Sequence, residues 1–121
     1  MTHKELQSSI IEIATKFGWQ HYHTFNSRKS DTGFPDLVLI HADRGRIVYA
    51  EIKSDTGKTS HEQDEWLEML ARCDQEVYIW YPRHLEEIVM ILMLGHKPSV
   101  AERMEMDSAV IYCAENKEDK K

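Results

Sequence analysis

Asp36, Glu51 and Lys53 are the residues of this sequence whose types and spacing could do chemistry together. Asp36 follows Pro35 and opens an apolar run at residues 37–40, while Glu51 and Lys53 close a β-rich run that begins at Arg46. Side chains two apart on a strand share a face, so Glu51 and Lys53 are neighbours and Ile52 points the other way. Pro35 fixes its own φ and cannot donate to a sheet, which holds the approach to Asp36 in one geometry. If the two runs pair as a hairpin, Asp36 and Glu51 meet at its open end. Two close carboxylates repel and raise one another's pKa unless a cation sits between them. Their oxygens suit a hard divalent ion, and Mg²⁺ accepts few protein ligands while keeping several waters. Such an ion can polarise a phosphoryl oxygen and acidify a water. Lys53 can then orient that water, take its proton or neutralise charge on a pentavalent phosphate. The grouping suits phosphodiester hydrolysis.

The elements that must position these residues are legible from periodicity and caps. Residues 5–17 place Leu6, Ile10, Ile13, Ala14 and Phe17 at helical spacing, with Thr2 and Glu5 in capping-box positions and Gly18 as the stop. Residues 19–25 alternate, with Trp19, His21, His23 and Phe25 on one face, and predict a strand. Residues 37–40 and 46–52, joined through Asp43-Arg44-Gly45, predict a hairpin of central strands. Ser60 opens a second helix with Gln63 as its capping partner and Trp66, Leu67, Leu70 and Ala71 as its apolar face. Residues 77–81 predict another strand, stopped by Pro82, and residues 84–94 a third helix ending at Gly95. Residues 97–107 are weakly patterned, residues 109–113 could add an edge strand, and residues 115–121 read as a solvated tail. This order predicts an α/β fold, a mixed central sheet flanked by helices. The expected organisation is one domain over residues 1–96 followed by a C-terminal extension, 97–121.

Composition narrows the function classes. With 121 residues, 41% apolar and 30% charged, the chain can bury one core. The formal net charge of −6 excludes a strongly basic nucleic-acid coat but leaves room for a local basic patch. Cys73 and Cys113 form no disulfide framework and no metal-type spacing, so a reduced, cytoplasmic setting is expected. The apolar run 88–94 is too short to span a bilayer.

Pro35-Asp36, fourteen intervening residues, then Glu51-Ile52-Lys53 resembles the PD-(D/E)xK nuclease signature. More narrowly, Gly33-Phe34-Pro35-Asp36-Leu37, Glu51-Ile52-Lys53, the stretch Thr56-Gly57-Lys58-Thr59-Ser60, and Gln63 with Trp66 are similar to the VRR-NUC family, including its small stand-alone phage and bacterial members. The resemblance spans residues 5–82 and implies a restriction-endonuclease-like core. It implies Asp36, Glu51 and the Ile52 carbonyl as ligands of Mg²⁺ or Mn²⁺, Lys53 as the catalytic lysine, and Gln63 beside the metal. It also implies Glu5 as the first-helix acid that reaches the metal through water. Glu12, two helical turns further on, is the alternative for that role.

Other features admit plainer readings. A capping box with Ser60 accounts for Gln63 without catalysis, although both roles are compatible. A first-turn acid such as Glu5 also suits the helix dipole. His21 and His23 share a strand face, but no third zinc ligand stands at a convincing spacing. Arg28, Lys29 and Ser30 are the first candidates for nucleic-acid contact, with Lys58 and Thr59 second. The run 88–94 lacks a clean polar face and suggests a subunit interface.

The resemblance implies a metal-dependent endonuclease that cuts DNA to give 5′-phosphate products. Stand-alone members look like Holliday-junction resolvases, so branched DNA such as four-way junctions or flaps is the expected substrate and a homodimer the expected assembly. No membrane partner and no cofactor beyond the metal is expected. The alternatives are a non-catalytic DNA- or protein-binding module on the same fold, and a metal hydrolase acting on nucleotides or RNA.

Overall fold

The computed structural model describes residues 1–25 and 32–112. In chain order it comprises α1 (His3–Lys16), β1 (Gln20–His23), β2 (Leu37–His41), a 3₁₀ turn (Ala42–Arg44), β3 (Arg46–Ile52), α2 (His61–Arg72) and β4 (Glu76–Trp80). A second 3₁₀ turn (Pro82–His84), α3 (Leu85–Met93) and α4 (Val100–Met104) follow.

The four strands form one sheet in the order β1-β2-β3-β4. β1, β2 and β3 run antiparallel to their neighbours, and β3 and β4 run parallel. The β2–β3 connection is the expected hairpin, turned by the 3₁₀ segment and by Gly45 in the left-handed region at φ 61°. The β3–β4 crossover carries α2, as a parallel pair requires.

One face of the sheet holds the main core. Leu37, Leu39, Val48, Ala50, Ile52, Tyr78 and Trp80 pack there against Leu6, Ile10 and Ala14 of α1 and Ile88, Ile91 and Leu92 of α3. The opposite face is covered at its β4 end by α2, where Leu67 and Ala71 meet Val77 and Ile79. The result is a three-layer α/β arrangement.

Several expectations are corrected by packing. β1 is shorter than predicted, and all four of its residues are exposed. Its burial comes from Trp19 just before it, whose indole donates to the Leu92 carbonyl at 3.0 Å, while Phe25 is exposed. The apolar residues of α3 divide between two sides: Ile88, Ile91 and Leu92 enter the core, while the apolar Met90 and Met93 are exposed. The weakly patterned segment after Gly95 contains α4, started by a Ser99–Glu102 capping box. Where an edge strand is expected at 109–113, the described residues give an isolated antiparallel bridge of Ala109 to Tyr78; Ile79 donates to the Ser108 carbonyl and Val110 to the Val77 carbonyl. Cys113 and the predicted tail lie outside the described residues. Among the described residues no helix is long and apolar enough to cross a membrane.

Arg46 and Glu76, charged residues at the starts of β3 and β4, are buried together. Arg46 donates from Nε and Nη2 to the two carboxylate oxygens of Glu76 at 3.0 and 2.7 Å. Tyr78 donates its hydroxyl to the same carboxylate at 2.9 Å, and Arg46 Nη1 caps the Ile91 and Leu94 carbonyls at the end of α3. Each side-chain nitrogen and oxygen of Arg46 and Glu76 has a hydrogen-bond partner, which makes burial of the pair tolerable.

Candidate active site

The hairpin register places Leu37 opposite Ala50, so Asp36 comes alongside Glu51 where β2 begins and β3 ends. Asp36 Oδ2 accepts the backbone N–H of Ile52 at 3.0 Å. Ile52 itself turns its side chain into the core, while Glu51 and Lys53 share the other face with their charged atoms 3.3 Å apart. The convergence expected from strand alternation is present.

The segment before Asp36 is clamped. Gly33 sits at φ 92°, and a Cβ there would fall 2.6 Å from the backbone carbon of Glu62 in the first turn of α2. Only glycine suits both the backbone angle and the close approach. Trp66, one turn further along α2, donates its indole to the Thr32 carbonyl at 3.1 Å and packs edge-on against Phe34, with ring centroids 5.1 Å apart. On the other side Thr24 donates its N–H to the Asp36 carbonyl at 2.8 Å. The glycine before Pro35-Asp36 and the tryptophan three residues after Gln63 are thus two halves of one contact between loop and helix.

Gln63 links the remaining groups. Its side-chain amide donates to Glu51 Oε2 at 2.7 Å, and its Oε1 accepts from Lys53 Nζ at 2.9 Å and from the Ser60 backbone at 2.8 Å. The capping box expected with Ser60 is complete. Cap and site contact coexist in the one side chain.

Glu51 is 1% exposed, and its Oε1 is buried without a hydrogen-bond partner. Burial first, then the charge of Asp36, pushes its carboxyl up to about 8, and Lys53 pulls the other way. A buried carboxylate oxygen left bare beside a second carboxylate is costly unless a cation takes it. Asp36, Glu51 and a main-chain oxygen fit a hard divalent ion that keeps several waters. Among the described residues no three His, Cys, Asp or Glu side chains are grouped to hold an ion alone, so water or backbone would complete the shell.

The other predicted residues distribute unevenly. Glu5 is exposed; its carboxylate accepts the Thr2 N–H at 2.8 Å in the α1 capping box, and those hydrogen bonds hold it below the ordinary glutamate range. Glu12 is exposed and faces Lys16 at 3.7 Å. Neither has a described contact with Asp36 or Glu51. The first-helix residue that does is His3, whose Nε2 lies 3.1 Å from Asp36 Oδ2. Sequence reasoning passed over it, since an exposed histidine two residues before the capping glutamate carries no periodic signal.

Lys58 is exposed in the loop between β3 and α2, while Thr59 is taken up by a 2.6 Å hydrogen bond to Asp64. The same loop backs the site: Tyr81 donates to the Gly57 carbonyl at 2.9 Å, and Gly57 lies against the Lys53 side chain. Arg28, Lys29 and Ser30 lie outside the described residues. His21 and His23 are exposed with rings roughly parallel, centroids 6.3 Å apart.

The sequence matches the VRR-NUC domain over residues 1–83. A solved structure described as a VRR_NUC domain protein superposes with a TM-score of 0.60 at 18% identity, covering 80% of this chain and 93% of that one. Hjc of Archaeoglobus fulgidus, described as a Holliday junction resolvase from an archaeal hyperthermophile, aligns with a TM-score of 0.43 at 22% identity, covering 64% of this chain and 65% of that one. No curated protein matches the sequence. The mixed sheet with flanking helices is a PD-(D/E)xK-like fold, and the chain belongs to the VRR-NUC domain family.

Proposed function

We propose that this chain is a divalent-metal-dependent endonuclease that hydrolyses phosphodiester bonds in DNA, with branched DNA such as four-way junctions or flaps as substrate. The observation that carries this reading is Glu51. Its buried, unpartnered oxygen stands beside Asp36, within one hydrogen-bonded set that includes Lys53 and Gln63. A non-catalytic module has no physical need for such a group.

In this reading Asp36, Glu51 and the Ile52 carbonyl hold Mg²⁺ or Mn²⁺. The ion, when bound, polarises a phosphoryl oxygen and acidifies a water. Lys53 contributes a positive charge held in place by Gln63, positioned to orient the attacking water or to offset charge gathering on the phosphate. Gln63 fixes both Lys53 and Glu51 through one amide, so that Glu51 Oε1 stays available. Lys58 and the segment with Arg28, Lys29 and Ser30 supply phosphate contacts, a limited set that accords with a net charge of −6. Residues 1–96 form the nuclease unit, and the extension from residue 97 closes the β4 edge. A homodimer, with one site per strand, suits a junction that has two equivalent strands to cut.

The test is incubation of the purified protein with labelled single-stranded, duplex, flap and four-way junction DNA and with RNA, in Mg²⁺, Mn²⁺ or chelator, beside Asp36→Ala. Metal-dependent cutting of branched DNA that Asp36→Ala lacks supports the proposal. Absence of cutting on every substrate, with junction binding intact, favours the non-catalytic module.

A further inference from the structure

Each of the two clustered carboxylates has one oxygen held by protein donors and one left over. On Glu51, Oε2 is taken by Gln63 and Lys53 and Oε1 by nothing. On Asp36, Oδ2 takes both the Ile52 N–H at 3.0 Å and His3 Nε2 at 3.1 Å, and among the described residues Oδ1 accepts no hydrogen bond. A carboxylate oxygen only accepts, so His3 Nε2 carries the proton in this contact.

His3 is the first residue of α1. Thr2 and Glu5 close a reciprocal capping box around that turn, with hydrogen bonds of 2.8 and 3.1 Å. The cap fixes the backbone from which His3 projects. The acid of this turn is therefore engaged in holding the turn, and the imidazole is the group that reaches the site. The imidazole faces Asp36 Oδ2, the oxygen that the Ile52 N–H already holds.

We propose that His3 is a positioning residue: by donating to Asp36 Oδ2 it fixes that carboxylate so that Oδ1 is the oxygen offered to a divalent cation. This rests on the metal-site reading above. A donor to a ligating carboxylate sets its orientation, and losing such a group typically costs about 10–100-fold in metal affinity.

The experiment is a Mn²⁺ titration followed by electron paramagnetic resonance, on wild type, His3→Ala and His3→Gln, with thermal unfolding of each metal-free protein. Gln can place an amide donor near the position of Nε2. His3→Ala is expected to weaken Mn²⁺ binding about 10–100-fold. His3→Gln is expected to restore most of that loss, and the metal-free melting temperature to stay close to wild type because His3 is exposed. Spin-echo spectra of the wild-type complex are expected to show no directly coordinated imidazole nitrogen. Equal affinity in wild type and His3→Ala overturns the proposal, as does a coordinated nitrogen that disappears in His3→Ala. A wild-type protein that binds no Mn²⁺ overturns the metal-site reading itself, and this inference with it.

Discussion

The side-chain amide of Gln63 donates to Glu51 Oε2 at 2.7 Å, joining the start of α2 to the end of β3. The same residue accepts from Lys53 and from the Ser60 backbone, so its removal releases three groups at once. Gln63→Ala is expected to cost about 1–3 kcal/mol of stability, since hydrogen bonds to charged groups are the stronger ones. It is also expected to lower the cleavage rate by more than the stability loss explains, because Lys53 and Glu51 lose their shared anchor. Denaturant melts and single-turnover rates on the same preparations separate the two effects.

Glu51 should make the metal-free protein pH-sensitive. Its folded carboxyl titrates at about 8 because of burial and then Asp36, against about 4.3 for a glutamate in an unfolded chain. Between those values the folded state keeps a proton that the unfolded state releases. The stability linked to this group is therefore full below the unfolded value and declines as pH rises toward the folded value. Glu51→Gln is expected to stabilise the metal-free protein at pH 8 by roughly 1–3 kcal/mol, about 3–10 °C in melting temperature, with the gain fading at pH 4. Adding Mn²⁺ is expected to raise the melting temperature of wild type and not of Glu51→Gln. Thermal melts across pH, with and without the ion, read both effects.

Gly33 holds the Asp36 segment against α2 at a positive φ, with no room for a Cβ. Gly33→Ala is expected to destabilise the fold by about 2–4 kcal/mol through strain and overpacking. Because the contact also sets the approach to Asp36, Mn²⁺ affinity is expected to fall in the molecules that remain folded. Calorimetry at a temperature where the variant is fully folded checks this.

The Arg46–Glu76 pair is a control distant from the chemistry. Glu76→Gln leaves a buried guanidinium without its counter-charge, and such a change typically costs about 3–5 kcal/mol. Activity per folded molecule is expected to remain at the wild-type level. Urea melts and active-site titration measure the two quantities separately.

The positions where sequence and structure agree are those with short-range causes. Ser60 with Gln63 and Thr2 with Glu5 announce their helix starts, because a cap is made by residues three apart. Strand alternation placed Glu51 with Lys53 and turned Ile52 inward. What was illegible depends on packing between distant elements. His3 meets Asp36 only because α1 lies on the sheet with its first turn over the β2–β3 end, and nothing in the spacing of 33 residues encodes that. The spacing of Arg46 and Glu76 does not reveal that they neutralise each other across a parallel pair formed by a crossover. The alternation of residues 19–25 marks a strand without saying which face is covered; β1 is the sheet edge, and Trp19 just before it is the buried residue.

The central claim is that Lys53, held between Glu51 and Gln63, does its work on a phosphodiester. The most direct measurement is single-turnover cleavage of a four-way junction in Mn²⁺ by wild type and Lys53→Ala, with junction affinity measured in parallel. The expected result is a rate reduced by about 10²–10⁴-fold with affinity little changed, as for loss of a group acting in proton transfer or charge stabilisation. Equal rates in the two proteins, or cleavage by wild type that persists in chelator, would contradict the account.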